Sequence, residues 1–143
     1  MDKFILLVED NPNDEMLTLR AFKKNNFLNE IAVVRDGQEA LDFMFCEGDY
    51  AERDKKRNPH VILLDLNLPK LDGLEVLRQL RDNEKTELVP VVIMTTSDEQ
   101  NDLINSYQLG ANSYVRKPVA LQDFLEAIKQ LGIYWLDLNE QPA

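Results

Sequence analysis

Five short, unbroken apolar runs set the limits on what this chain can fold into. They are Phe4-Ile5-Leu6-Leu7-Val8, Ile31-Ala32-Val33-Val34, Val61-Ile62-Leu63-Leu64, Val91-Val92-Ile93-Met94 and the shorter Ser113-Tyr114-Val115. Runs of Val, Ile and Leu without polar alternation suit strands covered on both faces, as in a parallel sheet. The segments between them carry helical spacing. Leu121, Phe124, Leu125, Ile128 and Leu131 form the clearest stripe, Leu74, Leu77 and Leu80 follow Asp72-Gly73, and Leu103, Ile104 and Tyr107 follow Ser97 and Asp98, either of which can cap a helix. Asn11 or Asn13 caps a first helix with Asp14 and Glu15 in its first turn, and Gly37 starts a second. Strand and helix alternate five times. That order predicts an α/β fold with right-handed crossovers: a doubly wound, five-stranded parallel sheet with five helices.

At 143 residues the chain is one ordinary domain that needs no disulfide or metal to fold. Its 26 acids against 16 bases leave a formal charge of −10, which opposes binding to nucleic acid or to an anionic membrane. A single cysteine, Cys46, excludes an internal disulfide and reads as a small apolar helix residue. No apolar run near the start is long enough for a signal segment or a membrane span, so cytoplasm is the expected location. Glu47 to Asn58 reads as a long, charged surface loop, with Lys55-Lys56-Arg57 available as a contact patch. His60 reads as a strand-edge residue. The tail 133–143 holds the only Trp, with Tyr134, Leu136 and Leu138 around it. Those residues either pack on the last helix or form a dimer or partner surface.

In open parallel sheets ligands bind at the carboxyl ends of the strands. Those ends carry Glu9-Asp10, Arg35-Asp36-Gly37, Asp65 followed by Asn67, Thr95-Thr96-Ser97, and Arg116-Lys117-Pro118. Three carboxylates, Glu9, Asp10 and Asp65, thus share one rim. Adjacent strands lie only about 5 Å apart. Two unpaired carboxylates at 4 Å repel by roughly 4 kcal/mol at an effective dielectric near 20. A cation relieves that repulsion, and all-oxygen ligands with open positions favour Mg²⁺, with Mn²⁺ or Ca²⁺ as substitutes. Lys117 and Thr95 add a positive charge and a hydroxyl. A hard cation, a Lys, a hydroxyl and a carboxylate nucleophile together suit phosphoryl transfer.

These residues resemble a bacterial response-regulator receiver domain. The resemblance spans residues 4 to 132 and rests on Val8-Glu9-Asp10-Asn11, Leu63 to Pro69, Leu71-Asp72-Gly73, Pro90 to Ser97, and Gly110-Ala111 through Pro118. The intervals, 30 residues from Asp65 to Thr95 and 22 from Thr95 to Lys117, add to it. It implies a flavodoxin-like strand order of 2-1-3-4-5, with residues 1–132 as the receiver and 133–143 as an extension. Asp65 is then the phosphoacceptor. Glu9, Asp10, Asp65 and the Asn67 carbonyl hold Mg²⁺, with Glu9 acting through water. Thr95 and Lys117 engage the phosphoryl group, Tyr114 is the switch aromatic, and Lys117-Pro118 is a cis peptide. Asp65 to Lys70, Thr95-Thr96-Ser97, Arg35-Asp36-Gly37, the long loop and the Trp-bearing tail are similar to the response regulators of cyanobacterial phytochromes and bacteriophytochromes. That subgroup implies a homodimeric switch rather than an enzyme. Its implied partner is a sensor histidine kinase, of phytochrome type in the subgroup, or a histidine phosphotransfer protein. Its expected output is a protein contact, phosphorelay to another protein or a phosphate sink, since no room remains for a DNA-binding domain. A haloacid-dehalogenase-type phosphatase is the enzyme alternative, but it needs an acid two residues after the nucleophile, where this chain has Asn67. A pseudo-receiver that signals without phosphate is the binding-module alternative.

Overall fold

The structure, a computed structural model, describes residues 3–142. Its strands are β1 (Phe4–Val8), β2 (Glu30–Val34), β3 (Val61–Leu64), β4 (Val91–Thr95) and β5 (Ser113–Arg116). Its α-helices are α1 (Pro12–Lys24), α2 (Gly37–Phe45), α3 (Gly73–Arg81), α4 (Gln100–Gln108) and α5 (Leu121–Gly132). The sheet is parallel throughout, in the order β2-β1-β3-β4-β5, as expected.

Alternate residues of each central strand feed two separate cores, which is why the apolar runs are unbroken. Phe4, Leu6, Val8, Ile62, Leu64, Val91 and Ile93 pack with α2 and α3 on one face. Ile5, Leu7, Val61, Leu63, Val92 and Met94 pack with Ala21 and Phe22 of α1 and with Phe124 and Ile128 of α5 on the other. The register sets Val8 beside Leu64, so the next residues, Glu9 and Asp65, emerge side by side at the carboxyl edge.

Two glycines bring the loop after Asp65 close to its neighbours. A Cβ on Gly73 would lie 2.3 Å from the Asp65 carbonyl oxygen, and one on Gly37 would lie 1.8 Å from that of Leu71. Only a residue without a side chain lets α3 and α2 start against that loop.

Several local expectations need correction. Helix α4 is capped at Glu99, without a side-chain bond, not at Ser97 or Asp98. The Ser97 hydroxyl accepts from the N–H of Glu99 itself at 3.3 Å and donates to Asp102 at 2.6 Å, so it ties the loop before α4 to the helix rather than capping it. The stripe Leu103, Ile104, Tyr107 is not a buried face. Ser106 is the residue that α4 buries, while Ile104 and Tyr107 are 43% and 50% exposed. Cys46 is buried but lies at the left-handed C-cap of α2, with φ 55°. The 47–58 segment does lie at the surface, as expected, but is tied down by its arginines. It forms a short 3-10 turn (Gly48–Tyr50), Arg53 lies 4.3 Å over the Phe43 ring and donates to the Phe43 carbonyl, and Arg57 lies 4.2 Å over Phe4 and pairs with Glu30. All peptide bonds among the described residues are trans, Lys117–Pro118 included, the isomer that an X–Pro bond favours by a small margin.

The tail continues α5 as a π-helical turn (Ile133–Leu138). Trp135 and Leu136 are buried in the core that α1 and α5 share, whereas Tyr134 and Leu138 are 49% and 65% exposed. No helix among the described residues is long and apolar enough to cross a membrane.

Candidate functional site

Four strand ends and the start of α1 converge on one pocket at the carboxyl edge of the sheet. Asp10, Asn11, Asp14, Asp65, Asn67, Thr96 and Lys117 line it. Each is delivered by simple means. Glu9 and Asp10 follow β1 directly, Asp65 and Asn67 follow β3, Thr96 follows β4, and Lys117 follows β5. The polar chain begins where each apolar run ends.

Lys117 is the hub. Its ammonium is 2.6 Å from Glu9 Oε1, 2.8 Å from Asp14 Oδ2 and 2.9 Å from Asp65 Oδ2. Glu9, Asp65 and Lys117 are all buried. The remaining oxygens of the two buried acids are also engaged. Glu9 Oε2 accepts from the Asn11 N–H at 3.2 Å, and Asp65 Oδ1 accepts from the Asn67 N–H at 3.2 Å. Asp10 is exposed and presents its carboxylate to solvent.

Three acids around one buried cation leave excess negative charge. Burial holds the Glu9 carboxyl up, at about 7, against the hydrogen bond and charge of Lys117, which pull it down; the Asp65 charge adds to the rise. For Lys117, burial disfavours the ammonium, but the hydrogen bonds to Asp14, Glu9 and Asp65 outweigh it and hold the group above its ordinary range. One carboxylate oxygen from each of Glu9, Asp10 and Asp65 lies within 4.8 Å of the others. An all-oxygen set of this span, short of positive charge, fits a hard divalent cation such as Mg²⁺ or Mn²⁺.

The switch candidates take a less direct arrangement. Thr95 lies on the rim strand as expected, but its side chain is fully buried and its hydroxyl accepts from the Ser97 N–H at 3.3 Å. Thr96, its neighbour, lines the pocket. The Tyr114 hydroxyl, raised above its ordinary pKa by burial, donates to the Ser97 carbonyl at 3.2 Å. Ser97 therefore ties Thr95, Tyr114 and, through Asp102, helix α4 into one unit. The sequence reading missed Ser97 in this role and missed Asp14 at the pocket. Asp14 had a visible signal, an acid in the first turn of α1, but the helix dipole explains such an acid equally well. Arg35 and Asp36 stay outside the pocket. Asp36 caps α2 and Arg35 pairs with Glu15 at 2.9 Å.

Comparison with known proteins agrees with this geometry. The family model for the response regulator receiver domain matches residues 5–129. Among curated proteins, the probable methanogenesis regulatory protein FilR2 of Methanothrix harundinacea is 41% identical over 97% of this chain and 87% of its own length. The response regulator Rcp1 of Synechocystis sp. is 38% identical over 99% of this chain and 94% of its own length. Among solved structures, the phosphorylated cyanobacterial phytochrome response regulator RcpA superposes with a TM-score of 0.93, 37% identical over the whole of both chains. The Mn²⁺-bound form of Rcp1 gives 0.91 over 99% of each chain. The bacteriophytochrome response regulator RtBRR gives 0.79, at 51% identity over 99% of this chain and 85% of its own. The chain belongs to the response regulator receiver domain family, a family of signalling switches.

Proposed function

We propose that this receiver accepts a phosphoryl group on Asp65 from a histidine kinase and uses the acyl phosphate to switch its surface. One observation carries the reading: Asp65 is buried at a strand end, bonded to Lys117 and clustered with Glu9 and Asp10. Glu9, Asp10, Asp65 and the Asn67 carbonyl would hold Mg²⁺, or Mn²⁺ in its place, which supplies charge neutralisation at the phosphoryl oxygens.

The chain's own residues do the rest. An Asp65 carboxylate oxygen attacks phosphorus, the P–N bond of the donor phosphohistidine breaks, and the imidazole leaves with the bonding pair. Lys117 offers its ammonium to the incoming phosphoryl oxygens. The protein catalyses only this transfer and the later hydrolysis, so it is a phosphoacceptor switch with no separate enzyme activity. Thr95 then exchanges its bond from Ser97 for one to the phosphoryl group. Because Ser97 also carries Tyr114 and Asp102, that exchange shifts Tyr114 and α4 together.

The test is acetyl phosphate or beryllofluoride with Mg²⁺. The wild type responds and Asp65→Asn does not. An equal response from both would discard Asp65 as the acceptor.

The likeness to phytochrome response regulators supports a phytochrome-type sensor kinase as the donor, with a histidine phosphotransfer protein as the other route. The charge of −10 supports a protein that engages neither nucleic acid nor an anionic membrane, and the single cysteine fits the reducing cytoplasm. Residues 1–132 form the receiver in this reading. The extension 133–143 contributes a homodimer contact through exposed Tyr134 and Leu138. Replacing both with Ser leaves Trp135 and Leu136 in the core, and light scattering should then report the monomer mass.

A further inference from the structure

We infer that Asp14 is a positioning residue for phosphoryl transfer, the anchor that keeps the Lys117 ammonium at the pocket while its other two partners change. The inference rests on the reading of Asp65 as the phosphoacceptor. An ammonium has three protons. Here all three have carboxylate partners, at 2.6 Å (Glu9), 2.8 Å (Asp14) and 2.9 Å (Asp65). Glu9 and Asp65 also belong to the acid cluster suited to a cation, and Asp65 is the group that becomes acylated. Asp14 is neither. Once the O–P bond forms, the Lys117 proton that faced Asp65 turns to a phosphoryl oxygen. Asp14 is then the one partner whose chemistry has not changed.

The backbone of α1 holds Asp14 in place. The Asn11 side chain accepts from the N–H groups of Asn13 at 2.9 Å and Asp14 at 3.1 Å, and the Asn11 N–H itself binds Glu9. The Thr18 hydroxyl donates to the Asp14 carbonyl at 2.7 Å. Cap, anchor and buried acid therefore form one connected unit at the mouth of the pocket. A plain helix-dipole role is already filled in the same turn by Glu15, which pairs outward with Arg35. Asp14 instead reaches a residue 103 positions away.

The experiment uses the full chain with acetyl phosphate as donor. Phosphorylation rates are measured against donor concentration at saturating Mg²⁺ for the wild type, Asp14→Asn and Asp14→Glu, and Mg²⁺ binding is measured by calorimetry. Asp14→Asn should lower the maximal rate about tenfold, the effect of replacing a charge-assisted hydrogen bond by a neutral one. Mg²⁺ affinity should stay within about twofold, and Asp14→Glu should recover most of the rate. Added to Lys117→Ala, Asp14→Asn should cost nothing further, because the anchor acts only through the ammonium. A rate within about twofold of wild type for Asp14→Asn, or an additive loss in the Lys117→Ala background, overturns the inference. A parallel loss of Mg²⁺ affinity overturns it too, by making Asp14 a metal ligand. If the wild type accepts no phosphoryl group, the reading of Asp65 falls and takes this inference with it, a failure distinct from an active wild type with an inert Asp14→Asn.

Discussion

The acid cluster should make the metal-free protein less stable as pH rises, and Glu9 should be the main cause. Its carboxyl is raised from the ordinary 4.5 to about 7, chiefly by burial. A group whose folded-state pKa lies above its unfolded value contributes stability that is complete below the unfolded value and is lost as pH climbs through the folded one. The window is therefore about pH 4.5 to just above 7. That rise, already net of the opposing pull of Lys117, corresponds to about 3 kcal/mol. Urea unfolding without divalent cation, from pH 5 to pH 8.5, measures it. His60 tilts the curve in the opposite sense, because burial lowers its pKa and its contribution is lost as pH falls. The difference between wild type and Glu9→Gln removes that background. Glu9→Gln should be more stable than wild type at pH 8, with the gap closing towards pH 5. Millimolar Mg²⁺ should shrink the gap at pH 8, since a cation favours the ionised carboxylate. Parallel stability curves for the two proteins across this range would refute the reasoning.

Two further outcomes test the packing that holds the site. Gly73→Ala places a Cβ 2.3 Å from the Asp65 carbonyl oxygen and 2.8 Å from the Leu66 Cα, both backbone. It should cost about 3 kcal/mol in urea unfolding and slow phosphorylation by acetyl phosphate, and a loss below about 1 kcal/mol would show that the loop yields. Trp135→Ala should cost about 3–5 kcal/mol, because the ring is buried in the core shared with α1 and α5, whereas Tyr134→Ala, at a half-exposed position, should cost under about 1 kcal/mol. Similar losses at the two positions would mean that the tail is not part of the core.

The strands and the residues at their ends were legible because one rule governs both. A parallel strand is apolar until it leaves the sheet, and it leaves at the edge where ligands bind, so Glu9, Asp65 and Thr95 are the first polar residues after their runs and Lys117 the second, after Arg116. Helix positions with strong apolar spacing, such as Leu77 and Ile128, were legible for a similar reason. Helix α4 was not. Its apolar residues Ile104 and Tyr107 mimic a buried stripe, but the helix buries Ser106, and the Ser97 hydroxyl bonds the Glu99 N–H and Asp102 from the loop before it. Nor does spacing tell a packed tail from an exposed one when Trp135 is buried and the adjacent Tyr134, its ring 4.9 Å away and edge-on, is half exposed.

By itself the chain order of residues determined the α/β class, the carboxyl-edge location of the site and the chemical kinds of group gathered there. These follow from local periodicity and from one general property of parallel sheets. Only the folded arrangement decided that Asp14 completes the shell of Lys117, that the buried Thr95 hydroxyl accepts from the Ser97 N–H, and that Trp135 belongs to the core. Each depends on distances between side chains far apart along the chain. Those distances are set by sheet register and helix packing, which apolar spacing alone leaves open.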